Sequence, residues 1–192
     1  MSVRRIVLAS GSPRRRELLA GMGMAFEVVT SDVDENVETF AGPEDFALQL
    51  ARRKARAVAG RVGDALVIGG DTVVELDGRI FGKPTDSDDA VEMISRLGGR
   101  THRVVTGLAV VDAATGEHRE GATTSAVTMR PLGEDEIREY VASGEPFDKA
   151  GAYAIQGLGG RLVAGVDGDR DNVIGLPTAT LRRLLAAFGV IA

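Results

Sequence analysis

Glycine interrupts this chain at short intervals: 25 of its 192 residues are glycine, about 13% against a usual ~7%, and they are spread among short apolar runs rather than gathered into a linker. Apolar runs closed after a few residues fit short strands and capped helices, and none approaches the roughly 20 residues that a membrane helix requires. The sequence carries no internal repeat and no low-complexity segment. With 44% hydrophobic and 27% charged residues it has the balance of a globular protein, and 192 residues is the scale of one domain or two tightly joined lobes.

The opening RRIVLASGSPRRRELLAGM reads as a strand at residues 6–8, a turn, and a helix with Ser12 as N-cap, Pro13 in its first position and Gly21 near its end. A strand at 26–29 and an acidic turn at 32–35 follow. A helix then starts near Pro43, with Phe46, Leu50, Ala57 and Val58 on its apolar stripe and Lys54 near the stripe's edge. ALVIGGDTVVELDGRIFGKP predicts two strands, 66–68 and 72–76, so that Asp71 falls where one gives way to the other, and Asp77-Gly78 turns the second back into Ile80.

Asp86 or Ser87 caps a helix that Gly98-Gly99 stops. Two β-rich runs, 103–111 and 123–129, are joined by a hairpin at 114–116. The pattern continues with a helix at 134–142, a glycine-rich stretch at 144–160, short strands near 162–166 and 173–174, and a C-terminal helix after Pro177. So many hairpins exclude a purely parallel sheet, leaving a mixed α/β fold.

Charge and cysteine content narrow the function classes. Twenty-three Lys+Arg against 28 Asp+Glu give a net charge of −5, which argues against a basic surface for a nucleic acid polymer. Zero cysteines exclude disulfides, thiolate catalysis and Cys-built metal sites, and only two histidines, His102 and His118, are present. Arg4 and Arg5 lack the apolar region that an export signal places after its arginines. A cytoplasmic protein with no membrane partner is the expectation.

Several segments carry candidate chemistry, each with a plainer reading beside it. SGSPRRR offers backbone amides at a helix N-terminus, two hydroxyls, and Arg14 and Arg15 to an anion, or it is a capped surface helix with a solvated basic face. Three consecutive arginines lie about 100° apart on a helix, so they cannot all face one ligand. The acidic run at 32–38 can serve a divalent cation, although it lacks EF-hand spacing, or it is a solvated loop. GRIFGK is not a phosphate-binding P-loop, because only three residues separate Gly78 from Gly82 and Pro84 replaces the required hydroxyl. FDKAGAYAIQG sets the cation Lys149 and the amide Gln156 in a glycine-rich loop. No HExxH, GxSxG or GxGxxG occurs, which removes the commonest zinc hydrolase, serine hydrolase and dinucleotide-binding readings.

Taken in order, LASGSPRRRELL (8–19), DVDE (32–35), LARRKA (50–55), IGGDTVV (68–74), GKP (82–84), DKAGAYAIQGLGG (148–160) and NVIGLP (172–177) closely resemble the Maf family of nucleoside triphosphate pyrophosphatases. The resemblance implies one domain over residues 1–192: a mixed-sheet α/β fold of the inosine triphosphate pyrophosphatase type, two-lobed with a central cleft, commonly a homodimer. It further implies hydrolysis of a nucleoside triphosphate to the monophosphate and pyrophosphate with Mg²⁺ or Mn²⁺.

The family's functional positions fall on Ser10, Arg14, Arg15, Glu35, Lys54, Asp71, Lys83 and Gln156. By this resemblance Asp71 accepts a proton from the attacking water, Glu35 and Asp71 hold the metal, and Lys54 and Lys83 join the catalytic set. Ser10, Arg14, Arg15, Thr72 and Gln156 bind substrate. Arg15, Thr72 and Gln156 match the branch that prefers dTTP and UTP and acts on modified pyrimidine nucleotides, whereas the 7-methyl-GTP branch carries Glu at position 156. Gly70, where many members have Ala, and Asp169-Arg170, near a frequent aromatic, depart from the pattern. The family's association with septum formation supplies the alternative, a nucleotide-binding regulator of cell division.

Overall fold

The computed structural model describes residues 4–190. Its strands are β1 (Ile6–Leu8), β2 (Glu27–Val28), β3 (Leu66–Leu76), β4 (Arg79–Phe81), β5 (Thr101–Asp112), β6 (His118–Met129) and β7 (Val163–Asp167). Its α-helices are α1 (Pro13–Gly21), α2 (Pro43–Ala59), α3 (Ser87–Leu97), α4 (Glu134–Ala142), α5 (Arg170–Ile174) and α6 (Thr178–Ala186), and three 3-10 turns occupy Glu145–Asp148, Ala150–Ala152 and Gly157–Leu162. The strands form one sheet in the order β2-β1-β3-β5-β6-β7, with β4 also on β3. β1 runs parallel to β2 and β3, while β3/β4 and β6/β7 are antiparallel, so the mixed α/β expectation holds.

The chain divides into two compact units: one takes the residues up to Asp71, Thr106–Thr123 and those from Gly175 onward, the other takes Thr72–Val105 and Thr124–Ile174. In the first unit the strand period of two sorts the core. Ile6, Leu8, Leu66, Ile68, Leu108 and Val110 pack with Leu19 of α1 and with Leu181 and Leu185 of α6. Their neighbours Val7, Ala9, Val67, Ala109 and Val111 pack with Ala51, Ala55 and Val58 of α2. Strands buried on both faces read as continuous apolar runs. The second unit has its own core, built from Val74, Phe81, Met93, Ile94, Leu97, Val104, Ile137, Tyr153 and their neighbours.

Local signals fixed most boundaries. Ser12 caps α1 by accepting a hydrogen bond from the Arg15 amide, Asp86 caps α3 by accepting from Asp89, and Asp77 and Gly78 both take positive φ in the β3–β4 turn. Three expectations need correction. β3 is one continuous strand through Gly69, Gly70 and Asp71, so Asp71 lies inside it rather than at a boundary. Residues 173–174 belong to α5, because the Asp169 carboxylate accepts from the amides of Asp171 and Asn172 and starts a helical turn there. Lys54 is buried on the inner face of α2, among Ala47, Leu50, Ala51, Ala55 and Val58, while Phe46 and Ala57 are only half-buried.

His102 and Tyr153 join β5 to the segment before Gln156. The imidazole Nε2 lies 2.6 Å from the phenol oxygen, and Nδ1 is buried without a partner. Burial draws the His102 pKa from 6.5 down to about 4. Between those values the unfolded chain binds the proton and the folded one does not, so this contribution is complete above pH 6.5 and is lost as pH falls toward 4. That lowering corresponds to about 3 kcal/mol. Urea unfolding of wild type and His102→Gln at pH 7 and pH 4 should therefore diverge by about that amount; parallel losses would show that His102 does not titrate this way.

Candidate active site

The loop between β1 and α1 places its polar groups through its cap. The Ser10 hydroxyl oxygen accepts a hydrogen bond from the Ser12 amide at 3.2 Å and lies 3.3 Å from Nη1 of Arg15. Arg15 also donates from Nε to the carbonyl of Gly175 at 2.8 Å, which turns its guanidinium toward the sheet, whereas Arg14 is half-buried and Arg16 is exposed. Arg15 and Arg16 thus face different surroundings, as neighbours about 100° apart on a helix do. Burial lowers the basicity of Arg15; the charges of Asp71 and Glu35 oppose that shift and Arg14 reinforces it. A guanidinium stays protonated throughout.

Helix α2 supplies the central cation. Lys54 Nζ lies 2.6 Å from Asp71 Oδ1 and 2.7 Å from Glu35 Oε1, so one buried ammonium bridges two carboxylates. Asp71 is 8% exposed, while the Glu35 side chain is about half exposed at 52%. Burial raises the Asp71 pKa above the usual carboxylate value; Lys54 and Arg15 oppose that rise and Glu35 adds to it. A buried carboxylate of raised basicity, held beside cations, suits proton abstraction from water.

These carboxylates also fit a divalent cation. Mg²⁺ draws one or two carboxylates from a protein and completes its shell with water and phosphate oxygens. Glu35 and Asp71, both paired to Lys54 Nζ, supply that number of carboxylates, and among the described residues no group of three or more His, Cys, Asp or Glu gathers into a closed protein cage.

The remaining candidates lie in the second unit. Thr72 is half-buried in β3, Lys83 is exposed just after β4, and Gln156 is exposed at the start of the 3-10 turn Gly157–Leu162. Lys83 and Gln156 sit on segments tied together by the Gly151 amide, which donates to the Gly82 carbonyl at 2.9 Å. Lys149 is not available as a cation for a ligand, since it is buried and donates to the Glu145 carbonyl and to Asp148 Oδ1. The structure therefore brings Ser10 to Arg15 and joins Lys54, Asp71 and Glu35, while Thr72, Lys83 and Gln156 are placed within the other unit.

The family described as Maf-like protein matches residues 5–188. The chain belongs to that family. It is 52% identical over 186 residues to a dTTP/UTP pyrophosphatase of Moorella thermoacetica, covering 97% of this chain and 96% of that protein. It is 48% identical over 187 residues to a protein of the same name from Pelotomaculum thermopropionicum, covering 97% and 98%. Among solved structures, the Ham1 protein of Staphylococcus aureus shares the fold at 18% identity and a TM-score of 0.52, with 96% of this chain and 97% of that chain covered.

Two further side chains, one in each unit, brace segments that carry candidate residues, and neither has a sequence signal. Arg53 donates from Nη1 to the carbonyl of Asn36 at 2.6 Å and to that of Asp34 at 3.4 Å, gripping the acidic turn on both sides of Glu35. Asp34 Oδ1 accepts from the Asn36 amide at 2.9 Å, which closes the same turn. Glu145 binds two amides of the segment after Gln156. Both side chains act on backbone groups, which every residue type presents, so no residue pairing announces them.

Proposed function

We infer that this protein hydrolyses nucleoside triphosphates, with dTTP and UTP preferred and modified pyrimidine nucleotides also accepted, to the monophosphate and pyrophosphate. The observation that carries the reading is the Lys54 ammonium bridging Asp71 and Glu35 beside Arg15. Relatives at 45–52% identity named dTTP/UTP pyrophosphatase support the substrate.

In this reading Asp71 takes a proton from a water whose oxygen attacks the α-phosphorus. A bond forms from that oxygen to phosphorus, and the bond from phosphorus to the bridging oxygen breaks, with the electron pair leaving on pyrophosphate. Lys54 and Arg15 favour the ionised form of Asp71 that can accept the proton, offsetting the burial that raises its pKa. Arg14, Arg15 and Lys83 offset the charge of the phosphate chain, Ser10 hydrogen-bonds it, and Lys54 holds the two carboxylates in register. Glu35 and Asp71 would hold a Mg²⁺ or Mn²⁺ ion, which when bound supplies Lewis-acid polarisation and charge neutralisation at the phosphates. Gln156, with Thr72, reads the base: uracil and thymine present an N–H between two carbonyls, and a neutral amide donates and accepts there at once. The same reading takes residues 1–192 as a single Maf-like domain acting as a cytoplasmic homodimer. Among the described residues no helix is long and apolar enough to cross a membrane.

Pyrophosphate release from dTTP, UTP, CTP, GTP, ITP and 7-methyl-GTP, with Mg²⁺, with Mn²⁺ and with chelator, tests the reading directly. Release should be fastest from dTTP and UTP and should stop with chelator. Tight nucleotide binding without release from any of them would instead favour a nucleotide-binding regulator.

A further inference from the structure

Gln156 stands at the N-cap of the 3-10 turn Gly157–Leu162, yet its side chain makes no capping hydrogen bond. The amides that such a cap would serve are taken by a residue eleven positions upstream, as the positions 145 and 156 show. Glu145 Oε2 accepts from the Leu158 amide at 2.9 Å and Oε1 accepts from the Gly159 amide at 2.9 Å. The Tyr140 hydroxyl donates to the same Oε1 at 3.1 Å. Charge-assisted bonds from a carboxylate to backbone amides are among the stronger local restraints in a protein.

The loop is shaped around this carboxylate. Gly157 has a φ of +67°, and a Cβ there would meet Glu145 Oε2 at 2.6 Å. A Cβ on Gly159 would meet the Tyr140 hydroxyl at 2.7 Å. On the chain's other side, Lys149 donates to the Glu145 backbone carbonyl, so Glu145 is held at main chain and side chain alike. Burial pushes the Glu145 pKa up, but the amides of Gly159 and Leu158, the Tyr140 hydroxyl and Lys149 bring it below the ordinary value, and it remains a charged acceptor at neutral pH.

We propose that Glu145 is a positioning residue for nucleobase selection: by capping the Leu158 and Gly159 amides it releases the Gln156 amide for the base and fixes where that amide points. The proposal rests on Gln156 reading the base, as proposed above. Without Glu145 the two amides lose their acceptor, and Gln156, the residue at the N-cap, has a side-chain oxygen that can turn back to them. Base reading and loop capping then compete for one amide.

The test compares kcat and KM for UTP and CTP in wild type, Glu145→Ala, Gln156→Ala and the double variant. Glu145→Ala should lower the UTP-over-CTP ratio of kcat/KM about tenfold, carried by a rise in KM for UTP. The double variant should be no less selective than Gln156→Ala, because Glu145 acts through Gln156. If Gln156→Ala lowers the ratio and Glu145→Ala leaves it at the wild-type value, the positioning role is overturned while the base-reading role stands. If Gln156→Ala itself leaves the ratio unchanged, base reading fails and the positioning role falls with it. Should Glu145→Ala not fold, the isosteric Glu145→Gln carries the same comparison: its amide nitrogen faces one of the two N–H groups, so one cap is lost and the ratio should fall part-way.

Discussion

Asp71→Asn is expected to cut turnover of dTTP and UTP by at least about a hundredfold, the low end of what a positioned general base contributes, while nucleotide binding survives. Asn keeps the size of Asp and keeps an oxygen to accept from Lys54, whose ammonium still pairs with Glu35 at 2.7 Å, so the local structure has reason to persist. What disappears is the carboxylate that burial makes more basic than usual. Removing a negative charge from the vicinity of Arg15 and Lys54 also removes a repulsion that the triphosphate meets, so the dissociation constant should stay level or fall. Because Asp71 is also placed to hold the cation, the comparison is made at saturating Mg²⁺ or Mn²⁺. Pyrophosphate release gives kcat, and calorimetry with an analogue whose α–β bridge resists hydrolysis gives binding. A variant that retains a tenth or more of wild-type kcat would remove Asp71 from the role of base.

The pairing behind that prediction shows what a sequence can and cannot reveal. The cap of α1 at Ser12, the cap of α3 at Asp86 and the Asp77-Gly78 turn are legible, because each depends on a side chain and amides within three residues. The proposed catalytic set is legible only through family resemblance. Lys54 and Asp71 are 17 positions apart, and nothing in LARRKA or IGGDTVV states that α2 lies on β3 with that lysine inward. A lysine on an apolar face usually marks the edge of the stripe, where its ammonium reaches water. Here two carboxylates satisfy it inside.

Glycine misled in the opposite direction. Gly69-Gly70 reads as a break between strands, since glycine often punctuates turns. Neither residue has positive φ, and β3 runs on through both. Their role is clearance, and clearance depends on a neighbour that is remote in sequence. Arg53 and Glu145 were missed for a related reason, because each is defined by the main-chain groups it grips and those groups have no residue identity.

That clearance sets the second large effect. A Cβ on Gly69 would lie 2.2 Å from the Ala51 carbonyl oxygen and 2.7 Å from the Ala55 nitrogen, and one on Gly107 would lie 2.5 Å from the Ala47 carbonyl carbon and 2.6 Å from the Leu48 nitrogen. These are backbone atoms of α2 and cannot rotate aside, so the helix must retreat by roughly 1 Å to restore ordinary contact distances. Gly69→Ala and Gly107→Ala should therefore each destabilise by at least about 3 kcal/mol or fail to fold. Without a clash, replacing a glycine by alanine would stabilise by about 0.4–1 kcal/mol through the unfolded chain, so the sign of the change separates the two outcomes. Gly165→Ala in β7, where nothing lies within 4 Å of the added Cβ, is the matched control and should not destabilise. The folded fraction of either clashing variant should also lose activity, because α2 carries Lys54 to within 2.6 Å of Asp71 and a displacement of about 1 Å at a reacting site can cost about a hundredfold. Urea unfolding and pyrophosphate release per folded molecule measure the two effects. If Gly69→Ala proved as stable as wild type with full activity, α2 would not be seated on β3 through that glycine, and the burial of Lys54 would need another cause.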